Sequence, residues 1–347
     1  MGLPDASDSR LAALTRWVVD SLGFADSRIE PASADASFRR YFRVTRGVDT
    51  YIVMDAPPDK ENVVPFVSVA RTLAGMGLNV PIVLARDEAQ GFLLLSDLGT
   101  RQYLDELNAG RDVDRLYADA LAALVTMQMS GDVAARDLPQ YDRDLLLRES
   151  ELFPAWFLGK HLGLTVSDDE RVMLDRLFDA LVIGALAQPA AFVHRDYHSR
   201  NLLLCAGSNP GILDFQDAVH GPVTYDAVSL LKDCYIAWPA ERVRSWLLEY
   251  RGRLESAGFS LYGDEQDFVR WFDLMGLQRH IKVLGIFARL FYRDGKSGYL
   301  KDLPRVLDYV RTAARAYPET AAFADFVTGR IDPAFAAAQA RVGAIPA

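Results

Sequence analysis

The sequence is poor in cysteine and has no long apolar run. Its 347 residues include two cysteines, Cys205 and Cys234, whose separation fits no metal-ligand motif. Reduced thiols in a cytosol are the ordinary reading of so few cysteines, and we expect a cytoplasmic protein. We see no signal peptide and no apolar run near the ~18 residues that a membrane-spanning helix needs. We therefore expect neither export nor membrane insertion.

The chain also lacks a basic block. It has 38 Lys and Arg against 47 Asp and Glu, giving a formal net charge of −9. Scattered basic residues in an acidic chain argue against a nucleic-acid partner. An anionic small molecule would have to be bound by local Arg and Lys side chains. Half of the residues are apolar (50%), which is enough for two lobes with substantial cores, and we expect a monomer.

The stretch Phe192–Asp217 carries the strongest functional signal. It begins with the pattern H-x-D-x-x-x-x-N, in which the acid is Asp196 and the amide is Asn201. A short apolar strand follows, then a Gly- and Pro-containing turn, and then Asp214. A hairpin of this length can direct the three polar side chains to one point.

These three side chains suit phosphoryl transfer from ATP. Asp196 could accept the proton of an acceptor hydroxyl and align that hydroxyl with the γ-phosphate. Asn201 and Asp214 could hold Mg²⁺, which prefers oxygen ligands and neutralises phosphate charge. The alternative interpretation is a solvated loop followed by a buried structural Asp. Because the loop, strand, turn and second acid occur together, the pattern predicts an ATP- and Mg²⁺-dependent phosphotransferase.

The same stretch resembles the catalytic core of the aminoglycoside phosphotransferase-like kinases, which share the protein-kinase fold. The downstream segment Gly221–Val228 also looks like a motif of that family. Other segments resemble a narrower group, the bacterial anomeric N-acetylmuramate/N-acetylglucosamine kinases of cell-wall recycling. This likeness runs from about Leu11 to Tyr309 and rests on the segments 34–43, 54–58, 94–103, 151–154 and 277–282.

The resemblance implies an α+β, bilobal, protein-kinase-like fold. Residues 1–98 would form a small nucleotide-binding lobe with an antiparallel sheet and a helix. Residues 99–347 would form a larger, mostly helical lobe with the catalytic hairpin and the sugar site. The implied reaction is phosphorylation of the C1 hydroxyl of N-acetylmuramate and N-acetylglucosamine to the α-1-phosphate. Two alternatives stay open: a phosphotransferase for aminoglycosides or other small alcohols, and a catalytically idle binding module.

Residues that would bind the nucleotide come mainly from this resemblance. Ser33 and Ser37 lie where kinases fold a loop over the ATP phosphates. The backbone groups of Ser96 and Leu98 lie where the interlobe hinge reads adenine. An ordinary strand-entry loop explains residues 33–37 about as well, because the segment has no glycine.

One expected cation is missing. The phosphate-binding Lys of kinases aligns with Met54, and its Glu partner falls near Val67. The two losses are consistent with each other, because losing only one partner would leave a buried charge unpaired. An arginine from the preceding strand, Arg39, Arg40 or Arg43, could neutralise the phosphates instead. We favour Arg39 because it is nearest the loop, although a solvated surface arginine is an open alternative.

The segment Gln266–Arg293 is apolar nearly all round and is expected to form a buried helix. One stripe of it carries Gln278 and Lys282, which suits a sugar with an acid group or, alternatively, a solvated face. Arg279 and His280 point elsewhere and need a buried partner. Glu149, Glu151 or Asp217 could be that partner, and a purely structural salt bridge is as plausible as a substrate contact. The candidate sugar-binding residues are Glu149, His198, Asp217, Arg279, His280 and Lys282.

Two further expectations concern support and packing. In the family that the sequence resembles, the counterparts of His194 and Asp226 brace the catalytic loop through its backbone, and we expect the same here. Leu303–Tyr317 is expected to pack as a final helix, and the Ala-rich stretch 312–347 is expected to be a loosely attached tail.

Overall fold

The structure, a computed structural model, describes residues 8–34, 38–134 and 137–343. The chain separates into two compact units. One comprises Met1–Arg101 with Leu203–Asp217, and the other comprises Gln102–Leu202 with Ala218–Ala347. The lobe boundary expected between residues 98 and 99 stays a prediction. Within the described ranges, no helix has the length and apolarity that crossing a membrane requires.

The first unit is built on an antiparallel sheet. In the described part of the chain it has five strands in the order β1-β2-β3-β5-β4. The hairpin predicted from two alternating segments is confirmed, since β2 pairs with β3 around Gly47, whose φ is 61°. The strands are β1 (Arg28–Ala34), β2 (Arg40–Arg46), β3 (Asp49–Asp55), β4 (Val83–Asp87) and β5 (Phe92–Ser96).

Strand β1 was not expected from the sequence. It contains Pro31, which lowers strand propensity and cannot donate a ladder hydrogen bond. Proline is tolerated here because β1 is an edge strand of the sheet, and the register with β2 shifts beside Pro31.

Helices cover the sheet of the first unit. Helix α1 (Ser9–Arg16) and the π-helical turn Trp17–Ser21 supply Leu14, Trp17 and Val18 to a core shared with the alternate β2 residues Phe42 and Val44. Helix α2 (Val63–Gly75) begins at Asn62, whose side chain accepts a hydrogen bond from the Val64 amide.

The second unit is mainly helical, as expected. Its longest helix, α9, is buried on nearly every face, with Leu277, Ile281 and Leu284 fully buried. The helices are α3 (Tyr103–Asn108), α4 (Val113–Ala134), α5 (Arg143–Ser150), the π-helix Phe153–Leu162, α6 (Asp168–Leu186), α7 (Tyr225–Leu231), α8 (Ala240–Ser256), α9 (Glu265–Tyr292), α10 (Leu303–Ala314), α11 (Ala321–Phe326) and α12 (Asp332–Gly343).

The expectation of a loose C-terminal tail is wrong for the described residues up to 343. Helices α11 and α12 contribute Phe323, Ile331 and Phe335 to the same hydrophobic core as α9. Phe323 is 1% exposed and Ile331 0%. Ala314 and Ala338 are buried in the same core, so small residues of this stretch are packing positions, which composition alone does not reveal.

Four short strands frame the motif region. Strand β6 (Ala190–Val193) pairs antiparallel with β9 (Val219–Pro222). Strand β7 (Leu202–Leu203) pairs with β8 (Gly211–Ile212). The H-x-D motif therefore starts where β6 ends, and α7 starts a few residues after β9.

Candidate active site

The loop that follows β6, residues 194–201, is tied down at its start. The Asp226 carboxylate accepts hydrogen bonds from the backbone amides of His194 (2.6 Å) and Arg195 (3.0 Å). The His194 ring in turn accepts one from the Asp196 amide, with 3.3 Å between Nδ1 and N. The expected supporting roles of His194 and Asp226 are confirmed. These bonds hold Arg195 at a φ of 77°, a conformation that costs about 1–3 kcal/mol.

The far end of the loop is held by a buried acid that sequence reasoning missed. Ser199 donates from its amide (2.9 Å) and its hydroxyl (2.6 Å) to Asp233 Oδ2. The other Asp233 oxygen accepts from the Tyr235 amide at 2.8 Å. An acid two residues after the apolar pair that ends α7 was the available signal, because a buried carboxylate needs donors.

The Asn201 side chain contacts the backbone of Asp196. The Asn201 side-chain nitrogen donates to the Asp196 carbonyl at 3.0 Å, and the Asn201 amide donates to the His198 carbonyl at 2.9 Å. The Asn201 amide also carries an oxygen, the kind of atom that a hard cation prefers.

Cations set the charge state of Asp196. Burial raises its pKa, but the positive charges of His198, Lys282, Arg279 and Arg195 outweigh burial and lower the pKa below its ordinary value. Burial also lowers the pKa of His198, so Lys282, Arg279 and Arg195 are the members of this group that stay positively charged at neutral pH. Asp196 is therefore ionised at neutral pH, the state that accepts a proton.

Glu149, a candidate sugar ligand, is the centre of a buried cluster. Its carboxylate accepts hydrogen bonds from the Tyr141 hydroxyl and from Arg195, and it lies 2.9 Å from the Lys282 nitrogen. Lys282 also donates to the Tyr225 hydroxyl at 3.0 Å. Burial raises the pKa of Glu149, but Lys282 and Arg195 outweigh burial and lower it. Glu149 and Lys282 thus neutralise each other inside the protein.

The prediction that Glu149 or Glu151 pairs with Arg279 is wrong. Glu149 pairs with Lys282 and Arg195, and Glu151 pairs with Arg171. Arg279 instead donates to the Ser229 hydroxyl at 2.7 Å and to the Cys234 sulfur at 3.5 Å.

Two other sugar candidates, His280 and Asp217, make contacts of their own. The Nε2 atom of His280 lies 2.9 Å from the Lys232 carbonyl oxygen, and its ring stacks on Tyr309 with centroids 4.7 Å apart. Asp217 belongs to the first unit, where its carboxylate lies 3.5 Å from the Gln216 side-chain nitrogen.

In the first unit, Asp214 has an unusual backbone and a cationic neighbour. Its φ is 63°, and its Oδ1 accepts a hydrogen bond from the Gln216 side chain at 2.9 Å. The same oxygen lies 3.5 Å from an Arg39 nitrogen, and Arg39 is 9% exposed. Positive φ at a non-glycine residue is often retained for function.

The other two arginine candidates are committed elsewhere. Arg40 pairs with Asp8 and Asp55, and Arg43 pairs with Asp97 at 2.6 Å. Arg40 and Arg43 have different partners because, as the strand alternation in the sequence predicts, they lie on opposite faces of β2. Arg39 is thus the candidate that reaches Asp214.

Apolar side chains fill the positions of the missing kinase ion pair. Met54 is 0% and Val67 7% exposed, so neither position leaves a charge to be paired. The hydroxyl of Ser96 accepts from the Ile82 amide at 2.8 Å, and the Leu98 carbonyl accepts from Cys205 Sγ at 3.4 Å.

The proposed phosphate-loop serines are not covered by these contacts. Ser37 lies outside the described residues. For Ser33 the backbone is described, as part of β1, but the side chain is not.

Residues 28–264 match the model of a family described as the phosphotransferase enzyme family. The chain belongs to this family. A protein of Pseudomonas aeruginosa named N-acetylmuramate/N-acetylglucosamine kinase is 48% identical over 326 residues, covering 91% of this chain and 95% of that protein. A protein of the same name from Pseudomonas putida is 46% identical over 330 residues, covering 92% and 96%.

A solved structure has a similar fold. The ADP-bound crystal structure of an aminoglycoside phosphotransferase superposes with a TM-score of 0.56 at 16% identity, covering 87% of this chain and 97% of that one. The predicted α+β, protein-kinase-like fold is confirmed, with an antiparallel sheet in the first unit and helices in the second. The chain is an ATP-dependent phosphotransferase whose acceptor is an alcohol group of a sugar.

The predicted trio of site residues is divided between the two units. Asp196 and Asn201 belong to the second unit and Asp214 to the first. Their meeting at one point stays a prediction.

Proposed function

We propose that this protein transfers the γ-phosphate of ATP to the anomeric C1 hydroxyl of N-acetylmuramate and N-acetylglucosamine. The product is the α-1-phosphate. The observation that carries this proposal is an H-x-D-x-x-x-x-N loop in which Asn201 bonds to Asp196, and Asp226 and Asp233 anchor the two ends, in a chain whose relatives bear the name N-acetylmuramate/N-acetylglucosamine kinase.

Asp196 is the proposed catalytic residue. As a carboxylate it accepts the proton of the C1 hydroxyl and aligns the oxygen with the γ-phosphorus. The loop anchors at Asp226 and Asp233 fix the backbone on either side of it, so the carboxylate keeps its position without help from the substrate. Such positioning contributes to catalysis by removing the entropy cost of alignment.

Mg²⁺ is the proposed metal. The Asn201 amide oxygen and the Asp214 carboxylate are hard oxygen donors and fit this ion. When bound, Mg²⁺ neutralises charge on the β- and γ-phosphates. Arg39, beside Asp214 at 3.5 Å, supplies a positive charge for the nucleotide phosphates in place of the absent lysine. The backbones of Ser96 and Leu98 stay the proposed adenine contacts, and Ser33 and Ser37 stay the proposed phosphate contacts.

Charge in the second unit favours an acidic or neutral sugar over a polycation. Lys282, Arg279 and Arg195 act on Asp196, and Glu149 offsets part of their charge. An aminoglycoside would need clustered carboxylates, because its amines are cationic. His198, Arg279, His280 and Lys282, with Glu149 and Asp217, stay the proposed residues around the sugar.

The setting of the reaction is also a proposal. The acidic net charge of −9 and the absence of basic blocks support a monomeric protein with small-molecule substrates and no nucleic-acid partner. A cytoplasmic sugar 1-phosphate would feed sugar-nucleotide synthesis, so we propose a role in peptidoglycan recycling.

A screen with labelled ATP tests the acceptor class. The purified protein is incubated with N-acetylmuramate, N-acetylglucosamine, the parent amino sugars and kanamycin. We expect phosphate transfer to the two N-acetyl sugars and none to kanamycin. Turnover of kanamycin without turnover of either N-acetyl sugar would overturn the proposal.

A further inference from the structure

Arg200, in the loop that carries Asp196, is held by stacking. Its guanidinium carbon lies 3.7 Å from the centre of the Tyr235 ring. Within the described residues, Arg200 has no hydrogen bond or ion pair to a protein acceptor. Stacking fixes the plane of the guanidinium while leaving the N–H groups at its edge available to a planar anion.

The Tyr235 ring that carries Arg200 is itself fixed. The His198 ring meets it edge-on with centroids 5.2 Å apart, and Phe287 of α9 lies 6.1 Å from it. The Tyr235 amide is bound by Asp233, the same acid that anchors Ser199. Arg200 is therefore oriented by the framework that positions Asp196.

The cations that act on Asp196 differ from Arg200. Lys282 and Arg195 share the Glu149 carboxylate. Arg279 is 3% exposed and donates to Ser229 and Cys234. Each of them is thus bonded to protein groups, whereas within the described residues the Arg200 side chain is held by stacking alone.

The two proposed acceptors set a requirement for the group that binds the acid. N-acetylmuramate is N-acetylglucosamine with a carboxylate-bearing ether, so the two sugars differ by one negative charge. A site that accepts both must leave its carboxylate-binding cation unpaired whenever the neutral sugar is bound. A fully buried cation cannot be left so without a large desolvation cost. A half-buried, stacked guanidinium can remain hydrated.

We propose that Arg200, held against Tyr235, binds the carboxylate of the acidic sugar and sets the preference between the acidic and the neutral acceptor. This inference rests on the proposed function. Asp302 is close enough to interact electrostatically with Arg200, but its carboxylate is paired with Arg305 at 3.0 Å and makes no hydrogen bond to Arg200. A planar, bidentate guanidinium fits a carboxylate better than an ammonium does.

The test compares kcat/KM for the two sugars in wild type, Arg200→Met and Arg200→Lys. We expect the ratio of acidic to neutral sugar to fall about ten- to a hundredfold in Arg200→Met, the range of a charge-assisted hydrogen bond. We expect a smaller fall in Arg200→Lys, which keeps the charge but loses the planar stack. The change should lie mainly in KM for the acidic sugar.

The methyl ester of N-acetylmuramate supplies a second arm. Wild type should lose as much on the ester as Arg200→Met loses on the acid, and Arg200→Met should distinguish acid from ester little. The matched control is Arg242→Met, since Arg242 also stacks on aromatic rings, Trp238 and Trp246, each at 4.8 Å. The control should keep the wild-type ratio.

The possible results separate the two proposals. An equal loss on both sugars, mainly in kcat, would assign Arg200 to the transferred phosphate and overturn the inference. An unchanged ratio would overturn it as well. Failure of the wild-type protein to phosphorylate either sugar would overturn the proposed function together with this inference.

Discussion

An Arg39 nitrogen lies 3.5 Å from Asp214 Oδ1, and both residues belong to the first unit. The arginine precedes β2, whereas the kinase lysine that it is proposed to replace would stand on β3 at Met54. The cation near the proposed metal ligand thus comes from the residue just before β2 and not from β3. The apolar Met54 and Val67 explain why the usual ion pair can be absent without leaving a buried charge.

Replacement of Arg39 should weaken nucleotide binding. We expect Arg39→Met to raise KM for ATP about tenfold or more, because a hydrogen bond to a charged group contributes about 1.5–3 kcal/mol. Arg39→Lys should recover part of the loss. Steady-state kinetics with varied Mg-ATP make the measurement. Arg46→Met, on an exposed end of β2, is the control, and a similar KM for ATP in wild type and Arg39→Met would remove Arg39 from this role.

Loss of the Asp196 carboxylate should abolish nearly all turnover. We expect Asp196→Ala to lower kcat by about 10²–10⁴-fold, the usual contribution of a positioned acid–base group. Nucleotide affinity and the melting temperature should stay close to wild type, because Asp196 holds the loop through its backbone. A variant with more than about a tenth of wild-type kcat would contradict the assignment.

The Glu149–Lys282 pair should be costly to break from one side. Both side chains are buried, at 8% and 9% exposure, so Glu149→Gln leaves two cations facing a neutral amide. We expect a loss of about 3–5 kcal/mol in the free energy of unfolding. Urea denaturation measures it. The double variant Glu149→Gln with Lys282→Met should be more stable than Glu149→Gln alone, and additive losses would show that the pair is not coupled.

His280 should make the protein sensitive to acid. Burial lowers its pKa to about 3, against an ordinary value of 6.5. Between these values the unfolded chain binds a proton that the native protein does not, so stability falls as pH falls. From pH 7 to pH 5 the expected loss is about 2 kcal/mol.

Replacing His280 isolates this effect. The free energy of unfolding of His280→Gln, measured by urea at pH 7, 6 and 5, should fall less steeply than that of wild type. Equal slopes for the two proteins would mean that His280 titrates alike in the folded and unfolded chain.

Much of the fold follows from local pattern. Alternating apolar residues predict β2 and β3, and an apolar helix such as α9 can only be buried. The predictions that were wrong or missing concern features that depend on tertiary context. The sequence could not show that Phe323 and Ile331 join the α9 core, or that an edge position lets β1 keep Pro31.

The sequence predicts the chemistry of the site better than it predicts which side chains pair with one another. The H-x-D-x-x-x-x-N pattern locates Asp196 and Asn201 because loop chemistry is written in adjacent residues. The pairing of Glu149 with Lys282, 133 positions apart, depends on which helices meet and has no local signal. The same holds for Arg279, whose expected carboxylate partners Glu149 and Glu151 are used by other cations.

The position of the new phosphate on the sugar tests the central claim most directly. Product from N-acetylglucosamine and Mg-ATP is examined by phosphorus and proton NMR. The account predicts that the phosphorus couples to the anomeric proton, with the coupling constants of an α-1-phosphate. Coupling to the C6 protons, or a product phosphorylated at any hydroxyl other than C1, would contradict it.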